Sequence, residues 1–153
     1  MSNGTNVRKR SGSIESLDLN KMHKIVDEAC KDLAGVSASQ VEINSGIQFY
    51  DGITTAEIQE ILIKSASDLI ELESPNYQFV AARLLLFGVR KKLWGRIHEA
   101  PSLGNHITKC IREGVYDPHF TSKYTDQEID ELDSYIDHDR DYLFTYAGLR
   151  QVT

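Results

Sequence analysis

The sequence is short of residues that staple a chain or build a metal centre. It has two cysteines, Cys30 and Cys110, far apart and with no Cys-x-x-Cys, which argues against a disulfide framework and a thiolate zinc site. Its five histidines, His23, His98, His106, His119 and His138, are scattered, so their spacing offers no ligand set and no catalytic triad. Long apolar runs are also missing. The longest, residues 79–89, is interrupted by Arg83 and falls well short of the ~20 residues that span a bilayer; it reads as a buried helix. The first residues, Met1-Ser2-Asn3-Gly4-Thr5-Asn6, contain no apolar segment of signal-peptide type, so a cytoplasmic location is expected. Acidic residues outnumber basic ones, 23 to 17. A net charge of −6 and a pI near 5.3 argue against nucleic acid as the main partner, which needs a broad basic face.

Basic residues form local runs at residues 8–10 and 90–92. The first cluster belongs to a segment dense in local signals. Val7 to Arg10 reads as a short strand, Ser11-Gly12-Ser13 as a turn whose glycine can take positive φ, and Ile14 to Leu17 as the returning strand. A hairpin this small cannot bury Lys9 and Arg10, and such a pair suits phosphate oxygens, lysine as a mobile point charge and arginine as a planar fork.

The remainder, within 153 residues of which 41% are apolar, is long enough for one domain or slightly more and reads as helix after helix. Met22, Ile25, Val26, Ala29, Cys30 and Leu33 recur at helical spacing between Asp18, a candidate N-cap, and Gly35, a candidate C-terminal stop, predicting a helix over 19–34. Ser37-Ala38-Ser39-Gln40 is a capping-box pattern that opens a shorter helix to about residue 46. After the Asp51-Gly52 turn, Thr54-Thr55-Ala56-Glu57 boxes a third helix to about 71. Pro75 precedes a long fourth helix, apolar on almost every side through its middle and therefore central. The chain loosens at 96–102 around Pro101, the expected boundary. Beyond it lie a helix carrying His106, Ile107, Cys110 and Ile111, another boxed by Thr125 and Glu128, and a helical pattern over 142–153 with no stop after Arg150.

The hairpin, together with Gln48-Phe49-Tyr50-Asp51-Gly52-Ile53, Pro75-Asn76-Tyr77-Gln78-Phe79-Val80-Ala81-Ala82-Arg83-Leu84, Arg90-Lys91-Lys92 and Asp137-His138-Asp139-Arg140-Asp141, resembles in order the N-terminal ATP-cone region of the large (alpha) subunit of aerobic, class I ribonucleoside-diphosphate reductases. The resemblance covers the chain after about residue 6. It implies a mainly α fold: an N-terminal β-hairpin, or a small three-stranded sheet, covering a four-helix cone. In domain terms it implies a flexible tail over 1–6, the cone over 7–96, and over 97–153 a helical start of the subunit body that stops before the catalytic barrel. The Asp137 to Asp141 block reads as a structural ion-pair network.

By the same resemblance the chain is an overall-activity switch for deoxyribonucleotide synthesis, with ATP as activator, dATP as inhibitor and magnesium accompanying the triphosphate. Lys9, Arg10 and Lys91 are the phosphate candidates. Lys91 also sits near a helix C-terminus, where a cation suits the dipole in any case. Thr55, in the first turn of the third helix, can receive an anion if Thr54 does the capping. Glu15, Ser16, Leu17, Asp18, Leu19, Asn20 and Lys21 are expected to cup adenine and ribose, partly through main-chain groups; Glu15 reads equally as a surface carboxylate paired with a lysine. Gln59 completes the set. Asp18 stands where relatives usually carry Asn, Gln59 where many carry His, and Ser11 where the hairpin usually has Asp. The first two bear on base selectivity and on the ATP against dATP response.

By the resemblance, ribonucleotide reduction needs a thiyl-forming cysteine and a reducing cysteine pair, so with two isolated cysteines this chain is expected to be inactive alone, although it resembles part of the reductase. The implied partners are the remainder of the large subunit and the radical-bearing small (beta) subunit, with neither nucleic acid nor membrane. A stand-alone nucleotide sensor is the alternative; cones also occur in a bacterial repressor behind a four-cysteine zinc ribbon, but no cysteine precedes Cys30 here. A degenerate cone that serves only as an interaction surface is the third reading.

Overall fold

A computed structural model describes residues 4–153. It is mainly α with one small mixed sheet, as the sequence leads one to expect. The part of the expected N-terminal tail at residues 1–3 lies outside the described residues. The chain forms two compact units, one running to Val89 and resumed by Tyr142–Thr153, the other Arg90–Asp141. The loosening at 96–102 thus falls within the second unit, and the last residues pack with the first.

The first unit begins with strands β1 (Asn6–Arg8) and β2 (Ile14–Ser16), antiparallel with Val7 opposite Glu15. A third strand, β3 (Ile53–Thr54), joins β1 in parallel, Val7 opposite Ile53 and Arg8 opposite Thr54, giving the order β2-β1-β3. β1 starts at Asn6 because Asp51 Oδ1 accepts from both its backbone N and its side-chain Nδ2, each at 2.9 Å, while Gly52 N donates to its carbonyl at 2.8 Å. Val7 and Ile53 point inward and are buried.

Up to Val89 the sheet is followed or interrupted by four helices, α1 (Leu19–Cys30), α2 (Ala38–Gly46), α3 (Thr55–Asp68) and the first part of α4 (Tyr77–Trp94). α1 ends four residues before the sequence pattern does. Asp32 enters the left-handed region at φ 59°, and Arg83 Nη1 donates to the carbonyls of Ala29 at 3.2 Å and Lys31 at 2.6 Å, satisfying acceptors that another helical turn would have used. Ser37 caps α2 by accepting from Gln40 N. The Gln40 side chain does not close the box but accepts from Tyr77 Oη at 3.3 Å, tying α2 to α4. Within this unit α4 carries Val80, Ala81, Ala82, Leu84, Leu85, Leu86 and Phe87, all buried, so the helix that is apolar on every side is the central one.

In the second unit the chain forms α5 (Leu103–Arg112), the single turn α6 (Phe120–Lys123) and α7 (Asp126–Ser134). Arg90, 5% exposed, donates to Asp141 Oδ2 at 2.8 Å, to the His138 carbonyl at 2.8 Å and to the Ile97 carbonyl at 3.3 Å, and its guanidinium lies 5.2 Å from the Trp94 ring centre. The Asp137 to Asp141 block is thus an ion-pair and hydrogen-bond network around one buried cation, as its composition suggests.

A 3-10 turn at His138–Leu143 precedes α8 (Tyr146–Val152). The continuous helix expected from residue 142 starts later because Thr145 acts as its N-cap, accepting from Gly148 N at 3.2 Å. No helix of the described residues is long and apolar enough to cross a membrane.

Candidate functional site

The hairpin tip is built around Lys9. Its carbonyl accepts from Gly12 N at 2.9 Å and its N donates to Ser13 O at 2.8 Å, which closes a three-residue loop of Arg10, Ser11 and Gly12 with the glycine at φ 85°. This is the turn-plus-bulge loop that demands a left-handed third residue. It leaves Arg10 at the exposed apex. Lys9 Nζ turns back across the hairpin to Glu15 Oε2 at 3.1 Å, with both side chains partly exposed. Two residues expected to hold opposite ends of a nucleotide therefore hold each other.

The parallel pairing of β1 with β3 brings the start of α3 beside the hairpin. Thr54 is the N-cap: its hydroxyl accepts from Glu57 N at 3.2 Å, and Glu57 Oε2 accepts from Thr54 N at 2.8 Å and from Thr54 Oγ1 at 2.6 Å. Thr55 is the first helical residue and is not needed for the cap, as the sequence suggested. Tyr50 Oη adds a bond to Glu57 Oε1 at 2.7 Å. Bonds from Thr54, then from Tyr50, hold the Glu57 carboxyl down to about 2, and the Tyr50 phenol is raised in return. No local pattern pointed to Tyr50, whose role depends on the loop between α2 and β3, although the Thr54 and Glu57 box was readable from spacing.

On the other side of β2, Leu17 N donates to Thr5 O at 2.8 Å. Asp18 then caps α1, accepting from Lys21 N at 3.0 Å, so one of its carboxylate oxygens is engaged by the backbone. Ser16 ends β2, Leu19 and Asn20 open α1, and Lys21 is exposed. Leu17 and Leu19 line an open cleft of about 650 Å³ with Met22, Ile43 and Phe49. Lys9, Arg10 and Thr55 do not line it.

Gln59, one turn into α3, is turned toward α4 and donates through Nε2 to the Leu84 carbonyl at 2.5 Å. It lies over Gly88, where a Cβ would come within 3.4 Å of Gln59 Cγ. Lys91 lies beyond Val89, in the second unit, on an exposed turn of α4. Within the first unit the fold brings together Lys9, Arg10, Glu15 and Thr55 through one three-stranded sheet, with Asp18 to Lys21 at the adjoining helix start.

The matching family is described as "ATP cone domain", and the match runs over residues 5–92, more than half of the chain and the whole of this arrangement. The chain belongs to the ATP-cone family. The match thus takes in every candidate residue from Lys9 to Lys91, while residues 93–153 lie outside it. The chain is also 48% identical over 146 residues to ribonucleoside-diphosphate reductase 1 subunit alpha of Escherichia coli, covering 95% of this chain and 19% of that protein. It is 45% identical over 146 residues to the subunit alpha of Haemophilus influenzae, and 43% identical over 149 residues to that of Enterobacteria phage T4. The chain therefore spans about a fifth of the length of these relatives.

The remaining ionisable chemistry of the chain is local. His23 Nδ1 lies 2.7 Å from Glu42 Oε1, His119 pairs with Asp117, and His106 Nε2 lies 3.5 Å from Cys110 Sγ. Burial, with Asp27 adding to it, pushes the Cys30 thiol up to about 11, which leaves it protonated and a poor nucleophile at neutral pH. Among the described residues no group of three or more His, Cys, Asp or Glu is placed to hold a metal ion.

Proposed function

We propose that this cone binds adenine nucleotides and reports their identity to a ribonucleoside-diphosphate reductase, ATP favouring an active assembly and dATP an inhibited one. The observation that carries this reading is the three-stranded sheet that puts two hairpin cations, Lys9 and Arg10, beside the N-terminus of a helix whose cap is already satisfied by Thr54. Polyanions are drawn to such an arrangement by the donors and dipole of the helix start and by charge-assisted bonds from the cations. In this reading Lys9, Arg10, Thr55 and Lys91 take the triphosphate, with magnesium travelling on it. Glu15 and the stretch from Ser16 through Leu17, Asp18, Leu19 and Asn20 to Lys21 take the adenine and ribose, and Gln59 takes part in telling ATP from dATP.

The remainder of a reductase large subunit and the radical-bearing small subunit are the proposed partners, residues 97–153 forming the start of the subunit body and the cytoplasm being the proposed compartment. A change of assembly requires that the nucleotides bind two states with different affinity, since equal binding shifts nothing. Calorimetry on the chain with ATP, dATP and GTP tests the reading. Each charge-assisted contact is worth about 1.5 to 3 kcal/mol, so Lys9→Ala should weaken ATP roughly 10- to 100-fold. No heat and no thermal shift with any nucleotide at millimolar concentration would mean that the cone survives here only as an interaction surface.

A further inference from the structure

The two helices joined by the Gln59 to Leu84 bond also carry, at the very next residues, the attachment of the segment 142–153. On α3, Gln59 bonds to the Leu84 carbonyl, and its neighbour Glu60 accepts from Arg150 Nη2 at 2.9 Å. On α4, Leu84 accepts from Gln59, and its neighbour Arg83 lies with its guanidinium 5.0 Å from the Tyr142 ring centre. Phe87, one turn on, meets the same tyrosine edge to face at 6.3 Å. Arg83 is also the group that ends α1, through Ala29 and Lys31. Its Nε is buried without a hydrogen-bond partner among the described residues, so the guanidinium is held by these two engagements together.

We propose that residues 142–153 are a readout element for nucleotide occupancy, set by the α3 to α4 contact that Gln59 makes and relayed by Glu60 to Arg150 and by Arg83 to Tyr142. The proposal rests on the nucleotide reading above and deepens it. A nucleotide that bridges the hairpin and the start of α3 fixes α3 against α4, and the segment grips whichever mutual position those helices hold. Glu60 and Arg150 are exposed, so this ion pair alone is weak. Tyr142, between a cation and an aromatic edge, supplies the firmer anchor.

Linkage makes the proposal sharply testable. If ATP strengthens docking of the segment, loosening the segment must weaken ATP by the same factor, because coupling between two equilibria is reciprocal. The experiment is hydrogen exchange on the 153-residue chain with and without saturating ATP, paired with calorimetry on Tyr142→Ala, Tyr142→Phe and Arg150→Gln.

ATP is expected to protect the hairpin and the start of α1, and to slow exchange across 142–153. Tyr142→Ala and Arg150→Gln are expected to bind ATP roughly threefold or more weakly, although neither residue belongs to the proposed nucleotide site. Tyr142→Phe keeps the ring against Arg83 and Phe87 and should bind ATP more tightly than Tyr142→Ala. Protection at the hairpin with unchanged exchange over 142–153, parental affinity in Arg150→Gln and Tyr142→Ala, or changes of opposite sign in the two measurements would overturn the readout while leaving nucleotide binding intact. Absence of protection anywhere would remove the nucleotide reading and this inference with it.

Discussion

Lys9 Nζ and Glu15 Oε2 face each other at 3.1 Å across a hairpin that has room for little else. In the proposed site one is a phosphate ligand and the other a base ligand, so each is satisfied by its partner until a nucleotide takes both. Binding then exchanges one surface ion pair, worth about 0 to 1 kcal/mol, for a charge-assisted bond at either end. Glu15→Gln should therefore let inorganic tripolyphosphate bind up to about fivefold more tightly while diminishing the preference for ATP over GTP. Calorimetry with the three ligands checks this, and equal effects on all of them would contradict it.

Glu57 provides a pH signature for the start of α3. Its folded carboxyl is held down to about 2 by Thr54 and Tyr50, below the ordinary value near 4.3 in an unfolded chain. A depressed folded value means that the contribution is fully present above about pH 4.5 and is lost as the pH falls toward 2. Urea unfolding of the parent and of Glu57→Gln should thus differ at pH 7 and converge near pH 2. Thr54→Ala, which removes the reciprocal half of the box, should cost about 1 kcal/mol at neutral pH.

Arg83 closes α1 from a different helix, through two carbonyls 52 and 54 positions away in sequence. Arg83→Met keeps much of the packing of the stem but loses both charged hydrogen bonds, and a loss of about 2 to 3 kcal/mol in denaturant unfolding is expected. Faster amide exchange in the last turn of α1 should accompany it. A change confined to α4 would contradict the capping role.

Gly88 lies in the middle of α4, and the nearest atoms a Cβ there would meet belong to the flexible end of Gln59, at 3.4 to 3.6 Å. That is ordinary contact, so Gly88→Ala should raise stability by about 0.5 to 1 kcal/mol through helix propensity alone. A bulkier Gly88→Leu should instead displace the Gln59 amide from the Leu84 carbonyl. Thermal unfolding of the two variants, which should move in opposite directions, makes the comparison.

Much of this fold could be read from local pattern. The boxes at Thr54 and Thr125, the caps at Asp18 and Ser37, and the all-round apolar middle of α4 are each a few residues long and dictated by backbone chemistry. The pattern misled where a distant side chain intervened. Helical periodicity runs past Cys30 to Leu33, yet Arg83 takes the carbonyls that would have continued it. β3 is two residues long and exists because β1 offers it an edge, so its own sequence could suggest it only as an option. The same limit applied to the candidate site. Charge and turn signals picked out Lys9, Arg10 and Glu15 and offered Glu15 a lysine partner, which proves to be Lys9, but spacing could not say that Gln59 would turn toward Leu84.

The order β2-β1-β3 also has a consequence for how the molecule is made. β1 is the middle strand, yet its parallel neighbour lies beyond both α1 and α2, and a parallel connection of that kind must close a long loop before either strand is rewarded. On a growing chain the hairpin and the start of α1 can form early, but the third strand and the start of α3 are missing until residue 55 and the turn after it have left the ribosome. Assembly of the proposed site is therefore a late event that depends on the helices between, and a lesion in α1 or α2 is expected to weaken nucleotide binding without altering any residue proposed to touch the ligand.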